Sequence, residues 1–299
     1  MSYQLSQDQV ERYKIYGCLF PLDILSKEDA SRLRGELEDC EKMQGRPLDR
    51  LQSNKSYLLY DWADELVHHP KILDAVESIV GPDILCYMTQ LFTKEAGSET
   101  YVSMHQDAAY WGIEADDVIT AWVALSPATA KSGAMKVLPG SHTQILEQKN
   151  TYAKNNLLSR GQEIAAEQLD ESKLVYMELE PGQMSLHHYL MVHGSDANSS
   201  DDRRIGLAIR YVAASAKKLG KPESALLVRG KNTSNFIMER RTRGLSQKVR
   251  ARKHSQAIAR QMHNLFEPSK DAALGERIRL KLTKTLGLTL SYWRNLRAR

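Results

Sequence analysis

Residues 181–212 read PGQMSLHHYLMVHGSDANSSDDRRIGLAIRYV. Two runs rich in β-formers, QMSLHHYLMVHG and RIGLAIRYV, flank a connector of Ser, Asp and Asn, which is the composition of two strands and a turn. The same grammar extends both ways. ILCYMTQLF, VITAWVAL, AMKVLP and LVYMEL precede it and ALLVRG follows, with Ser132-Gly133, Pro139-Gly140 and Pro181-Gly182 among the breaks. Seven such segments between residues 84 and 230 predict a barrel or a double-sheet jelly roll.

Outside that region the period changes. Ser6 is placed to cap a short helix through about Tyr13, and Ser26 a longer one from Lys27 to about Lys42. GCLFPLDIL between them has the apolar density of a strand. Ile72, Leu73, Val76 and Ile79 recur at helical spacing before Gly81-Pro82 stops the pattern. After Gly230 the pattern becomes helical and basic. From Arg240 to Arg299 there are 16 Lys or Arg against 3 Asp or Glu, whereas residues 1–239 hold 25 against 34. The net charge of +4 therefore combines an acidic body with a basic tail. The expected organisation is one catalytic domain, residues 1–239, and a helical extension, residues 240–299, packed on that domain or on a partner.

Composition excludes several classes. With 42% hydrophobic and 26% charged residues, and no run near the roughly 20 apolar residues a bilayer requires, the chain reads as an ordinary globular protein. MSYQLSQDQVERYKIYG lacks a basic start followed by an apolar run, so a cytoplasmic location is expected. Cys18, Cys40 and Cys86 form no CxxC pair and read as reduced thiols. Any metal must be bound by His and carboxylate.

SMHQDAAYWG supplies such a pair. His105 and Asp107 are two positions apart, on one side of an extended segment, and His193 follows in HYLMVHGSD before a glycine turn. Two His and one carboxylate on one face of an octahedral ion leave three open positions, the arrangement of non-haem Fe(II) oxygenases. Eleven residues beyond His193 stands Arg204, whose guanidinium can grip the distal carboxylate of 2-oxoglutarate in bidentate fashion. Arg210, six residues on and on the same strand face, is the rival anchor or a contact for an acidic substrate. Arg203 lies on the opposite face.

With these residues in place, the chain resembles the phytanoyl-CoA dioxygenase family of Fe(II)/2-oxoglutarate-dependent oxygenases. The matching stretches are FTKEAGSETYVSMHQDAAYWG, DVITAWVALSPATAKSGAMKVLPGSH, residues 181–212 quoted above and, less specifically, ALLVRG. The similarity covers about residues 84 to 230, with a weaker match in the N-terminal helices. It implies a mainly β protein with added helices: a double-stranded β-helix, or cupin-like jelly roll, flanked by N- and C-terminal helices. It also implies His105, Asp107 and His193 as Fe(II) ligands and Arg204 as the co-substrate anchor, with Ser195 sharing that carboxylate and Thr120 or Trp122 lining its pocket. The expected reaction consumes 2-oxoglutarate and O2, releases succinate and CO2, and hydroxylates an unactivated C–H of a small metabolite. In related halogenases the carboxylate ligand is replaced by Gly or Ala; Asp107 favours hydroxylation.

Other readings stay open at this stage. His187 shares the strand and face of His193, so a His-rich site is a rival; His188 and His142 read as packing or turn residues. Tyr110 and Trp111 are candidates to wall the substrate pocket, or core aromatics. The segments near 45–60 and 150–172 are the expected pocket loops. Ile278, Leu282, Leu286, Leu290 and Trp293 would form one apolar stripe on a basic helix. That helix would dock on its own acidic body or on a second subunit, or attract an anionic substrate, an acidic carrier or a membrane surface. No nucleic-acid-reading motif is present. The functional alternative is a jelly-roll metal- or ligand-binding protein without turnover.

Overall fold

The computed structural model describes residues 2–108, 111–115 and 118–265, with residues 281, 282, 285 and 289. Two antiparallel sheets face each other. Their strands are β1 (Cys18–Asp23), β2 (Ile84–Lys94), β3 (Val102–His105), β4 (Val118–Ala124), β5 (Met135–Val137), β6 (Val175–Met177), β7 (Gln183–His188), β8 (His193–Ser195), β9 (Arg204–Ala213), β10 (Ser224–Arg229) and β11 (Ile237–Met238). The large sheet runs β1-β7-β4-β9-β2-β10-β11 and the small one β3-β8-β5-β6. Only the β10/β11 pair in them is parallel. This is the jelly-roll core expected from the strand grammar.

Alternation on β9 shows how the large sheet is used. Ile205, Leu207, Ile209 and Tyr211 turn one way, into the main core with Leu33, Trp62, Leu66, Ile72 and Val76 of the N-terminal helices. Arg204, Arg210 and Ala208 turn the other way, toward the small sheet, and line the cavity between the sheets. A period of two thus separates a dry helical face from a cavity face. Gly206 is required on the inner row, because a Cβ there would lie 1.8 Å from the Trp122 ring.

The helices on the outer face are α1 (Gln7–Tyr16), α2 (Lys27–Gln44), α3 (Asp61–Val67) and α4 (Pro70–Val80). Ser6 and Gln9 form a reciprocal capping box on α1, and Ser26 caps α2. Burial of Ile72, Leu73 and Val76 on α4 follows the predicted stripe.

Three expectations need correction. QMSLHHYLMVHG is not one strand: it is split into β7 and β8 by a turn in which Met191 N donates to His188 O at 2.8 Å. The chain leaves the large sheet there to enter the small one. Residues 45–60 are not an open loop either, since Arg50–Ser53 and Ser56–Leu58 are helical turns and Tyr57 and Leu58 belong to the main core. Finally, the chain is not helical directly after Gly230. β11 intervenes, and the helix α5 (Gln247–Leu265) starts later. The buried pair of Lys55 and Glu239, 2.6 Å apart, ties that segment to the body.

The described part of the basic extension meets acidic residues of the body: Arg241 pairs with Asp64 at 2.6 Å and Arg250 with Asp61 at 2.8 Å. Of the apolar stripe, Ile278, Leu286, Leu290 and Trp293 lie outside the described residues. No helix among the described residues is long and apolar enough to cross a membrane.

Candidate functional site

His105 ends β3 and His193 begins β8, and these two are Cα partners across the small sheet. Their rings stand 4.1 Å apart. Asp107 lies just past the strand, where its backbone N–H donates to Tyr189 O at 3.0 Å. The intervening Gln106 points the other way and pins the neighbouring loops, donating to Gln144 O at 2.8 Å and Leu190 O at 2.6 Å. As a result His105, Asp107 and His193 each bring one ligand atom to a common point, all within 4.8 Å of one another, and all three residues are buried.

The ring orientations suit a metal. His105 Nδ1 lies 2.9 Å from Ser103 O and His193 Nδ1 2.9 Å from Met191 O. A carbonyl only accepts, so each Nδ1 carries the proton and each Nε2 keeps its lone pair for an ion. Burial, followed by the neighbouring His105, pulls the His193 pKa down to about 4, so its imidazole is neutral. Burial pushes the Asp107 pKa up, but the Arg210 guanidinium, the largest opposing cause, helps hold the carboxyl below the ordinary carboxylate range. Two imidazoles and one carboxylate fit Fe(II) by donor type.

The same cavity contains Arg204, only 2% exposed. Its Nε and Nη2 have no hydrogen-bond partner, and its guanidinium sits 5.4 Å above the Trp122 ring. Ser195 also lines the cavity. Thr120 does not sit beside Arg204: its Cα partner on β9 is Arg210, while Trp122 pairs with Ala208. Trp111 is buried behind Arg210, whose guanidinium lies 5.2 Å over its ring. Arg203 faces outward to Glu41 and Glu95. Tyr110 lies outside the described residues.

Of the other histidines, His187 reaches the cavity from the large sheet, with its ring 4.9 Å from that of His193. Although the strand is broken, the two face the same space. His188 turns away toward His142, and His142 Nε2 lies 3.1 Å from Lys14 O at the end of α1.

A comparison with known proteins decides the family: the model of phytanoyl-CoA dioxygenase (PhyH) matches residues 43–206, more than half the chain. The chain belongs to the phytanoyl-CoA dioxygenase family. A probable alpha-ketoglutarate-dependent hypophosphite dioxygenase of Stutzerimonas stutzeri is 31% identical over 207 residues, covering 66% of this chain and 71% of that one. Human peroxisomal phytanoyl-CoA dioxygenase is 27% identical, covering 70% and 69%. Among solved structures, the non-heme monooxygenase ThoJ is 33% identical with a TM-score of 0.77, covering 86% of this chain and 97% of that one. CytC3 with Fe(II) and alpha-ketoglutarate, at 22% identity and a TM-score of 0.58 over 78% and 92%, shares the fold. This family member is a non-haem Fe(II)/2-oxoglutarate-dependent dioxygenase, and it uses Fe(II), 2-oxoglutarate and O2.

Lys94, which sequence reasoning missed, supports the site through Ser195. It is fully buried, stands opposite Arg204 across β2 and β9, and donates to Ser195 Oγ at 2.7 Å and to the Asp196 carbonyl. Burial, then the charge of Arg204, lowers its pKa to about 7. An alternation count along ILCYMTQLFTK would have found it, since Lys94 shares parity with Phe92, which lines the cavity.

Proposed function

We propose that His105, Asp107 and His193 hold the Fe(II), that Arg204 and Ser195 receive the distal carboxylate of 2-oxoglutarate above Trp122, and that the enzyme hydroxylates an unactivated C–H of a small metabolite. The observation that carries this reading is a guanidinium whose Nε and Nη2 lack a hydrogen-bond partner, in the same cavity as His105 and His193 of a three-residue ligand set. A buried guanidinium left unpaired is costly, and a bidentate carboxylate is the ligand that satisfies it.

Bound there, Fe(II) with 2-oxoglutarate and O2 supplies the oxidising chemistry, with succinate and CO2 as co-products. The chain's own part is placement. The Nδ1–H bonds to Ser103 and Met191 fix both imidazoles, and Asp107 stays ionised beside Arg210. In its ammonium form Lys94 offers only donors, so Ser195 Oγ accepts from it, leaving the Ser195 hydroxyl proton free to point at an anion. Phe92, Val102, Met135 and Ala208 give the cavity apolar walls that keep water from the reacting bond.

The test is to load the protein anaerobically with Fe(II) and 2-oxoglutarate, admit O2, and measure succinate. Wild type should form it, faster with a true substrate, and Asp107→Ala should form none. Equal succinate from the variant would refute the ligand assignment. A metabolite screen scored by stimulated succinate release identifies the substrate.

A further inference from the structure

The cavity has a second set of unmet donors that the co-substrate anchor does not use. Arg210 lies six residues beyond Arg204 on the same inward face of β9, and it is 5% exposed. Thr120 is its Cα partner on β4, and His187 is the Cα partner of Thr120 on β7. The three side chains therefore form a row across adjacent strands on the cavity wall. Arg210 Nε and Nη1, Thr120 Oγ1 and His187 Nδ1 are all buried without a hydrogen-bond partner. Arg210 has one polar contact, Nη2 at 3.5 Å from Asp107 Oδ2, which is at the outer limit of a hydrogen bond.

This row is at the metal end, since His187 stacks near His193 and Arg210 reaches Asp107. Charge points to its occupant. With Fe(II) and the co-substrate dianion bound and Lys94 protonated, the positive charges of the ion, the two guanidiniums and the ammonium exceed the negative charges of Asp107 and the dianion by two. A buried site does not carry such an excess without a counter-ion. Guanidinium, hydroxyl and imidazole side by side are complementary to an acceptor with several oxygens.

We infer that Arg210, Thr120 and His187 form an oxyanion subsite for the substrate, so that the molecule oxidised carries a carboxylate or similar oxyanion group close to the bond presented to the metal. This rests on Arg204 being the co-substrate anchor, and the test separates the two. Wild type, Arg210→Met, Arg210→Lys and Arg204→Met are loaded anaerobically with Fe(II) and titrated with 2-oxoglutarate, following the visible charge-transfer band and the thermal midpoint. Each loaded protein is then titrated with isobutyrate, its neutral analogue isobutyramide, and hypophosphite.

In wild type, isobutyrate is expected to perturb the band at a concentration about tenfold below isobutyramide. Compared with wild type at saturating Fe(II) and 2-oxoglutarate, Arg210→Met should lose the preference for the acid, and Arg210→Lys, which keeps the charge without the fork, should retain part of it. A response to hypophosphite extends the subsite to tetrahedral oxyanions; its absence confines it to carboxylates. Equal responses to acid and amide in wild type overturn the subsite. So does a loss of 2-oxoglutarate binding in Arg210→Met as large as in Arg204→Met, because the row would then serve the co-substrate. Undiminished 2-oxoglutarate binding in Arg204→Met overturns the anchor instead. Arg210→Lys carries the comparison if the methionine variant does not fold.

Discussion

The two ends of the cavity are built from the same strand yet do opposite things. At the Arg204 end the guanidinium itself keeps Nε and Nη2 unpaired, but the polar groups around it are tied down: Lys94 holds Ser195, and Asp196 is held by Lys136 at 2.7 Å and by the Tyr176 hydroxyl at 2.8 Å. At the Arg210 end, Thr120, His187 and most of the Arg210 donors have no protein partner. A pre-organised end suits an invariant ligand, because ordering costs are met in folding rather than at each binding event. An end rich in unmet donors is shaped by whatever ligand completes it. On the proposed reading, the difference places the co-substrate in the half of the pocket whose neighbours are tied down and substrate recognition in the half beside the metal ligands.

That contrast can be broken in graded steps. Removing a metal ligand should have the largest effect: Asp107→Ala is expected to abolish Fe(II)-dependent succinate formation, checked alongside anaerobic metal binding. Next, Arg204→Met should weaken 2-oxoglutarate by on the order of 100-fold, about 3 kcal/mol, as expected for a lost charge-assisted bidentate contact. A change under threefold in the charge-transfer titration would mean that the distal carboxylate lies elsewhere.

Lys94→Met should cost less, about tenfold in 2-oxoglutarate affinity. The same residue gives a pH signature. With a pKa of about 7 in the free protein, its ammonium is fully present below that pH and lost above it. A dianion favours the charged form, so binding should take up a proton and affinity should fall as pH rises from about 7 to 9. Calorimetry in buffers of different ionisation enthalpy measures that uptake, which Lys94→Met should remove. Gly206→Ala should have the smallest effect on co-substrate binding and act on stability instead. The added methyl meets Trp122 and must displace the ring beneath Arg204, an overpacking cost of roughly 1–3 kcal/mol in stability. A thermal midpoint equal to wild type would show that the ring moves freely.

Much of the molecule was legible as a pattern. Runs of β-formers broken by turn residues marked the β core, and capping at Ser6 and Ser26 marked two helix starts. His105 and Asp107 could be paired because strand parity puts i and i+2 on one side. The turn inside QMSLHHYLMVHG was not legible, since β-formers continue through it and only the transfer of the chain between sheets breaks it. Residues 45–60 misread for a similar reason: short helical turns have too few residues to show a period.

The sequence by itself therefore determined which residue types could bind a metal and an oxyanion, and which strand faces would carry them, because these depend on chemistry and local geometry. It could not place Arg204 over Trp122, Arg210 next to Thr120, or Lys94 beside Ser195. Those depend on which strands become neighbours and at what register. Only the tertiary structure decided that, by pairing β9 with β2 and β4 so that Arg204 stands opposite Lys94 and Arg210 opposite Thr120. Register is set by burying the outer faces of all the strands together, and that is a property of the whole sheet rather than of any one segment.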